Sequence, residues 1–201
     1  MKRLIAIFFA VIVMAAAFVG CNPSTNDTSS TVDTSSTEDT SSVEDTVSTE
    51  TVDPQAKLDA ILAEIKTTYG ENYIPSMPLD VDMFSEFYLI DKANVEALVA
   101  EMPMMSAHID RFIGVKAVEG KVEEVKQAIE LFNDNNIKNA LQYPQNEARA
   151  KAAKIIVHGD YVFYVILGAY PAVDAELDEA AALEFAEAEV KKAVDIINAA
   201  F

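Results

Sequence analysis

The stretch KIIVHGDYVFYVILGA (residues 154–169) decides the fold. From Tyr161 to Ala169 it carries no charge and is apolar at consecutive positions. A half-exposed strand alternates apolar and polar residues, so an unbroken apolar run reads as a central strand buried on both sides. His158-Gly159-Asp160 supplies the chemistry of a tight turn, and Lys154-Ile155-Ile156-Val157 before it reads as a second strand.

Working outward, Ile109 to Val118 reads as another strand. Ile109, Ile113, Val115 and Ala117 share one face, with Arg111 among them, opposite Phe112 and Val118. Val95 to Met105 fits either element type. Helical spacing dominates elsewhere. Pro54 opens a helix with Leu58, Ile61, Leu62 and Ile65 on one side, ending near Gly70. Pro75 and Pro78 mark a loop, and Asp80 caps a short helix through Met83, Phe84 and Phe87. After Gly120, Val122, Val125, Ile129 and Phe132 form an amphipathic stripe. Tyr143-Pro144 breaks the chain before an Ala-rich helix (145–153). A last helix (about 174–199) aligns Leu183, Val190, Val194, Ile197 and Phe201. Strands joined by hairpin-like links among helices predict an α+β fold over residues 54–201, a small antiparallel sheet packed by several helices.

What precedes this domain is of another kind. Lys2 and Arg3 are followed by an uncharged apolar run, Leu4 to Val19, and then by Phe18-Val19-Gly20-Cys21. That order is a secretory signal peptide over residues 1–20, and the run is shorter than the roughly 20 residues that span a bilayer. Cys21 is the only cysteine, so no intramolecular disulfide forms. Its setting resembles the lipobox of bacterial lipoproteins, although Phe18 stands where Leu is usual. The resemblance implies that Cys21 is diacylated and becomes the mature N-terminus, and two acyl chains give stable attachment. Residues 21–53 are then a Ser/Thr/Asp/Glu-rich tether. DTSSTV (27–32), DTSSTE (33–38), DTSSVE (39–44) and DTVSTE (45–50) are four successive units, and the tether has no Lys or Arg. Such a composition predicts disorder, with a reach of roughly 30 Å. Its Ser/Thr density leaves O-glycosylation open.

The formal net charge of −18 argues against nucleic acid as a partner and against docking on anionic lipid heads. The membrane partner is reached through the lipid alone.

EMPMMSAHIDRFIGVKAVEGKVEEV (101–125) and QYPQNEARAKAAKIIVHGDYVFYVILGA (142–169) resemble a family of small lipoproteins of Firmicutes, clostridial ones especially, carrying a domain of unknown function. The resemblance spans about residues 55–170 and implies a lipid-anchored domain on the outer face of the cell membrane. It carries over no activity and no site residues.

Four features bear on chemistry. Met102, Met104 and Met105 with His108 are soft ligands of the kind Cu(I) takes, or else gap-filling side chains. His108/Asp110 and His158/Asp160 are two His-x-Asp pairs. On neighbouring strands they would make a zinc or acid–base site; otherwise the second pair is simply a turn. Asp174, Glu176, Asp178 and Glu179 match no calcium loop and suit the first turn of a helix. G-x-S-x-G, H-E-x-x-H, a phosphate-cradling glycine loop and tryptophan are all missing.

The expectation is therefore a lipid-anchored extracytoplasmic lipoprotein whose domain is a non-enzymatic binding or accessory module. No cofactor is called for. Tyr73, Tyr143 and Tyr170, beside prolines or loops, would contact a ligand or a protein partner. The alternative is a metal-binding protein or metal-assisted hydrolase using His108, Asp110, His158 and Asp160.

Overall fold

The computed structural model describes residues 53–105, 107–140, 144–172 and 177–201. The signal segment, Cys21, the tether through residue 52, Tyr143, Asp174 and Glu176 lie outside the described residues.

Helix α1 (Pro54–Tyr69) begins where the Asp53 carboxylate accepts the Gln55 N–H at 3.2 Å and Pro54 supplies a preset φ. It buries Leu58, Ile61, Ile65 and Tyr69, one side of the predicted stripe. The Pro75–Pro78 segment holds a minimal strand, β1 (Met77–Pro78). Helix α2 (Val81–Tyr88) is capped by Asp80, whose Oδ1 accepts the Met83 N–H at 2.8 Å. The segment that fits either element type is strand β2 (Val95–Met102), and β3 (Arg111–Ala117) follows it. Then come α3 (Val122–Ala140), α4 (Pro144–Ala152), β4 (Lys154–His158), β5 (Tyr161–Ile166) and α5 (Glu179–Ala199).

All pairings are antiparallel, in the order β1-β2-β3-β5-β4. Strand β5 is interior, and Val162 to Ile166 are each 0% exposed, as a doubly covered strand requires. Its hairpin with β4 pairs His158 with Tyr161 and leaves Gly159-Asp160 as the turn. Alternate residues go to two cores. Phe112, Phe163 and Val165 pack with Leu58 and Ile65 of α1 and with Val190 and Ile197 of α5. Ile113, Val115, Val162, Tyr164 and Ile166 pack with Phe84 and Tyr88 of α2 and with Val125 and Ile129 of α3. The chain is thus an α+β fold of three layers: α1/α5, sheet, α2/α3.

Two boundaries differ from the sequence reading. Strand β3 starts at Arg111 rather than Ile109, because Asp110 leaves the ladder for a buried ion pair. Helix α5 starts at Glu179, where the Asp178 side chain accepts the Ala181 N–H at 2.8 Å. Phe201 lies beyond α5, and its ring stacks on His158 at 4.7 Å.

The sheet has two distinguishable ends. At the hairpin end lie Gly159-Asp160, Lys116 and Tyr161. Helix α1 also begins here, with Lys57 Nζ 3.4 Å from the Phe201 ring centre and 5.5 Å from that of Tyr161. At the other end, the loop end, β2 finishes, β3 begins and β5 runs out into Leu167–Ala172.

Candidate functional site

At the loop end four side chains from three separate stretches form one polar cluster. Asp110, 0% exposed, stands just before β3 and receives Arg149 Nη2 on Oδ1. Tyr170, four residues beyond the end of β5, donates its hydroxyl to Asp110 Oδ2 at 3.1 Å. His108 Nδ1 lies 3.1 Å from that same hydroxyl and 3.9 Å from Asp110 Oδ2. A hydroxyl has a single proton, and Tyr170 gives it to Asp110, so His108 Nδ1–H is the donor to the tyrosine oxygen. The His108 ring meets Tyr170 edge-on at 5.5 Å, and the Arg149 guanidinium lies 4.1 Å from the Tyr170 ring centre.

Helix α4 positions this cluster. Asn146 and Arg149 are three residues apart and share a helix face. Asn146 Nδ2 donates to the Ala107 carbonyl at 2.8 Å and fixes the loop that carries His108. Arg149 Nη1 donates to the Ala169 carbonyl at 2.9 Å and fixes the chain that carries Tyr170. On the far side, Glu189 of α5 accepts the Ala169 N–H at 3.0 Å. Gly168 turns the chain there with φ +135°, and a Cβ on it would stand 2.3 Å from Glu189 Cβ, so only glycine fits.

Burial pushes the Asp110 carboxyl above its ordinary range. Arg149, the Tyr170 hydroxyl and His108 pull the other way without overcoming it. Burial and the neighbouring Asp110 charge push the Tyr170 phenol up to about 12, so it stays a donor at neutral pH. Both Asp110 oxygens are engaged by protein donors. The group is a rigid clamp, with the His108 ring, 27% exposed, at its outer edge.

The remaining expected site residues fall elsewhere. Tyr73 is also near the loop end, but its hydroxyl donates to Glu101 Oε2 at 2.9 Å, and Lys66 holds Glu101 Oε1 at 2.6 Å. Burial first, and Glu101 second, push its phenol upward. It is a half-buried brace rather than a free loop aromatic. His158 Nε2 lies 2.8 Å from Asn198 Oδ1, and Asp160 receives Lys116 at 3.1 Å. Both belong to the hairpin end. Tyr161 pairs with His158 and Lys116, whereas Ile166 pairs with Arg111. Five strand steps separate the two levels, about 17 Å by strand rise, and His108 lies beyond Arg111. The two His-x-Asp pairs therefore do not form a four-residue site. Among the described residues no three His, Cys, Asp or Glu side chains are grouped to hold a metal ion. Met102 packs against the α2/α3 core, while Met104 and Met105 are exposed at the turn. Asp178 caps α5 and Glu179 pairs with Lys151 at 2.8 Å.

Arg149 and Asn146 were not singled out from the sequence. Their only signal is a cation and an amide three residues apart in a short Ala-rich helix, which also describes a solvated face. Among the described residues no helix is long and apolar enough to cross a membrane.

Comparison with known families finds a domain of unknown function, DUF4358, at residues 68–167. The match holds all five strands, α2, α3 and α4, with His108, Asp110, Arg111 and Arg149, and stops before Tyr170. Most of α1 and all of α5 lie outside it. No curated protein and no solved structure matches the chain.

Proposed function

We propose that the protein is an extracytoplasmic lipoprotein, held to the cell membrane by acylated Cys21, whose domain is a non-enzymatic binding or accessory module. The observation that carries this reading is the polarity of the domain. The chain enters it at the hairpin end, where Asp53 precedes α1, while the His108–Asp110–Arg149–Tyr170 cluster is at the loop end. A tether attached at the first end leaves the second turned away from its attachment point. The connection between β2 and β3 and the stretch that follows β5 are then presented to an extracytoplasmic ligand or protein partner. The closed clamp supports binding over catalysis, because an acid–base carboxylate needs an oxygen free to meet substrate.

The test is incorporation of labelled fatty acid into the full chain in a lipoprotein-processing bacterium, followed by membrane fractionation. Wild type should be labelled, processed at Cys21 and found in the membrane fraction. Cys21→Ala should be unlabelled and accumulate as precursor or appear outside the membrane. Equal labelling of Cys21→Ala would refute the anchor.

A further inference from the structure

We propose that Arg111 is the cationic centre of a second site, one that takes a small monocarboxylate between α2, α3 and the sheet. Arg111 opens β3 next to Asp110 but points to the opposite face, into the apolar layer noted in the sequence. Its Nε and Nη1 are buried, and neither has a hydrogen-bond partner among the described residues. No carboxylate among those residues pairs with it, although the chain has 33 Asp and Glu. Arg149, the other arginine of the described chain, is matched by Asp110. Arg111 as a whole is partly exposed, but buried donors such as its Nε and Nη1 are costly unless something supplies acceptors.

Its surroundings fit an organic acid. The guanidinium lies 5.0 Å from the Phe132 ring centre. Its charge is felt at the hydroxyls of Tyr88 and Tyr164, where it works against the upward push of burial. Tyr164 donates to Asn133 Oδ1 at 2.9 Å and receives Asn136 Nδ2 at 3.5 Å, so α3 carries amides to the same place. One cation matches one negative charge, and the arginine fork matches a carboxylate. A net charge of −18 disfavours the approach of a multiply charged oxyanion such as phosphate. The inference does not depend on the lipid anchor: this site can fail while lipidation at Cys21 stands, and the reverse.

The experiment follows the Arg111 Nε–H resonance and the thermal midpoint of the detergent-solubilised full chain. Acetate and benzoate are titrated, with chloride and inorganic phosphate at matched ionic strength. Wild type should show a saturable Nε–H shift and a rising midpoint with the carboxylates only, as ligand linkage requires. Arg111→Lys keeps the charge without the fork and should bind at least about tenfold more weakly. Arg111→Met should lose the response yet melt no lower than wild type when ligand is absent, since it removes two buried donors that lack acceptors. A wild type indifferent to both carboxylates would overturn the site. So would an equal response to chloride or phosphate, and so would an Arg111→Met protein that melts well below wild type without ligand.

Discussion

At the scale of single residues, the Asp110 carboxyl sets a sign that can be measured. Burial raises its folded pKa above the ordinary 3.8, so between the two values the folded chain holds the proton more tightly than the unfolded chain does. The contribution of Asp110 to stability is then greatest at or below pH 3.8 and falls as pH rises through the folded value. Asp110→Asn has no such proton. Denaturant unfolding of both proteins from pH 4 to 7 should show the wild-type advantage shrinking as pH rises. If the advantage grows instead, Arg149 and Tyr170 outweigh burial and the assignment is reversed. Much of this cluster was legible as residue types: His108 and Asp110 stood out by spacing, and Tyr170 stood out beside Pro171. Their common partner was not, because Arg149 is 39 residues from Asp110 and only the fold joins them. Arg111 was visible as a charge on an apolar strand face, but the pattern gave no account of why it was there.

At the scale of elements, the connection from β5 to α5 depends on Gly168 in a way that most turns do not. Its φ of +135° and the 2.3 Å approach of Glu189 Cβ leave no room for a methyl group. The same contact holds the Ala169 N–H, and Ala169 in turn offers its carbonyl to Arg149. Gly168→Ala should cost about 2–4 kcal/mol, combining backbone strain with overpacking, and should loosen Tyr170. Gly120→Ala is the control: it also has positive φ, +78°, but open space around it, and should cost only about 1 kcal/mol. Equal losses in urea denaturation would mean that the Glu189 contact carries nothing. The elements themselves were largely legible where period and punctuation agree. Pro54 and Asp80 start helices where the sequence predicts, and the His158-Gly159-Asp160 turn makes the expected hairpin. Strand β2 did not declare itself because Val95 to Met102 (VEALVAEM) is interrupted by helix-favouring Glu, Ala and Leu. Pairing with β3, through a register shift between Val95 and Ala97, overrides that propensity. Strand β1 is too short to leave any periodic signal.

At the scale of the whole molecule, the three layers make β5 the member on which both cores converge. Its residues are covered by α1 and α5 on one face and by α2 and α3 on the other, with β3 and β4 alongside. Strand β4 has β5 on one side only, and its Lys154 and Val157 reach solvent. Local openings therefore release β4 and the two-residue β1 without disturbing the interior. Amides of β5 exchange only when both cores separate at once. Native-state hydrogen exchange should give β5 and β3 an opening free energy equal to that of global unfolding, in the range of about 5–15 kcal/mol for a domain of this kind. Strand β4 should open at lower cost, and Ser76 and Leu79, whose N–H groups bond β2 carbonyls beside β1, at lower cost still. Equal protection across the sheet would mean that the edges are as cooperative as the centre.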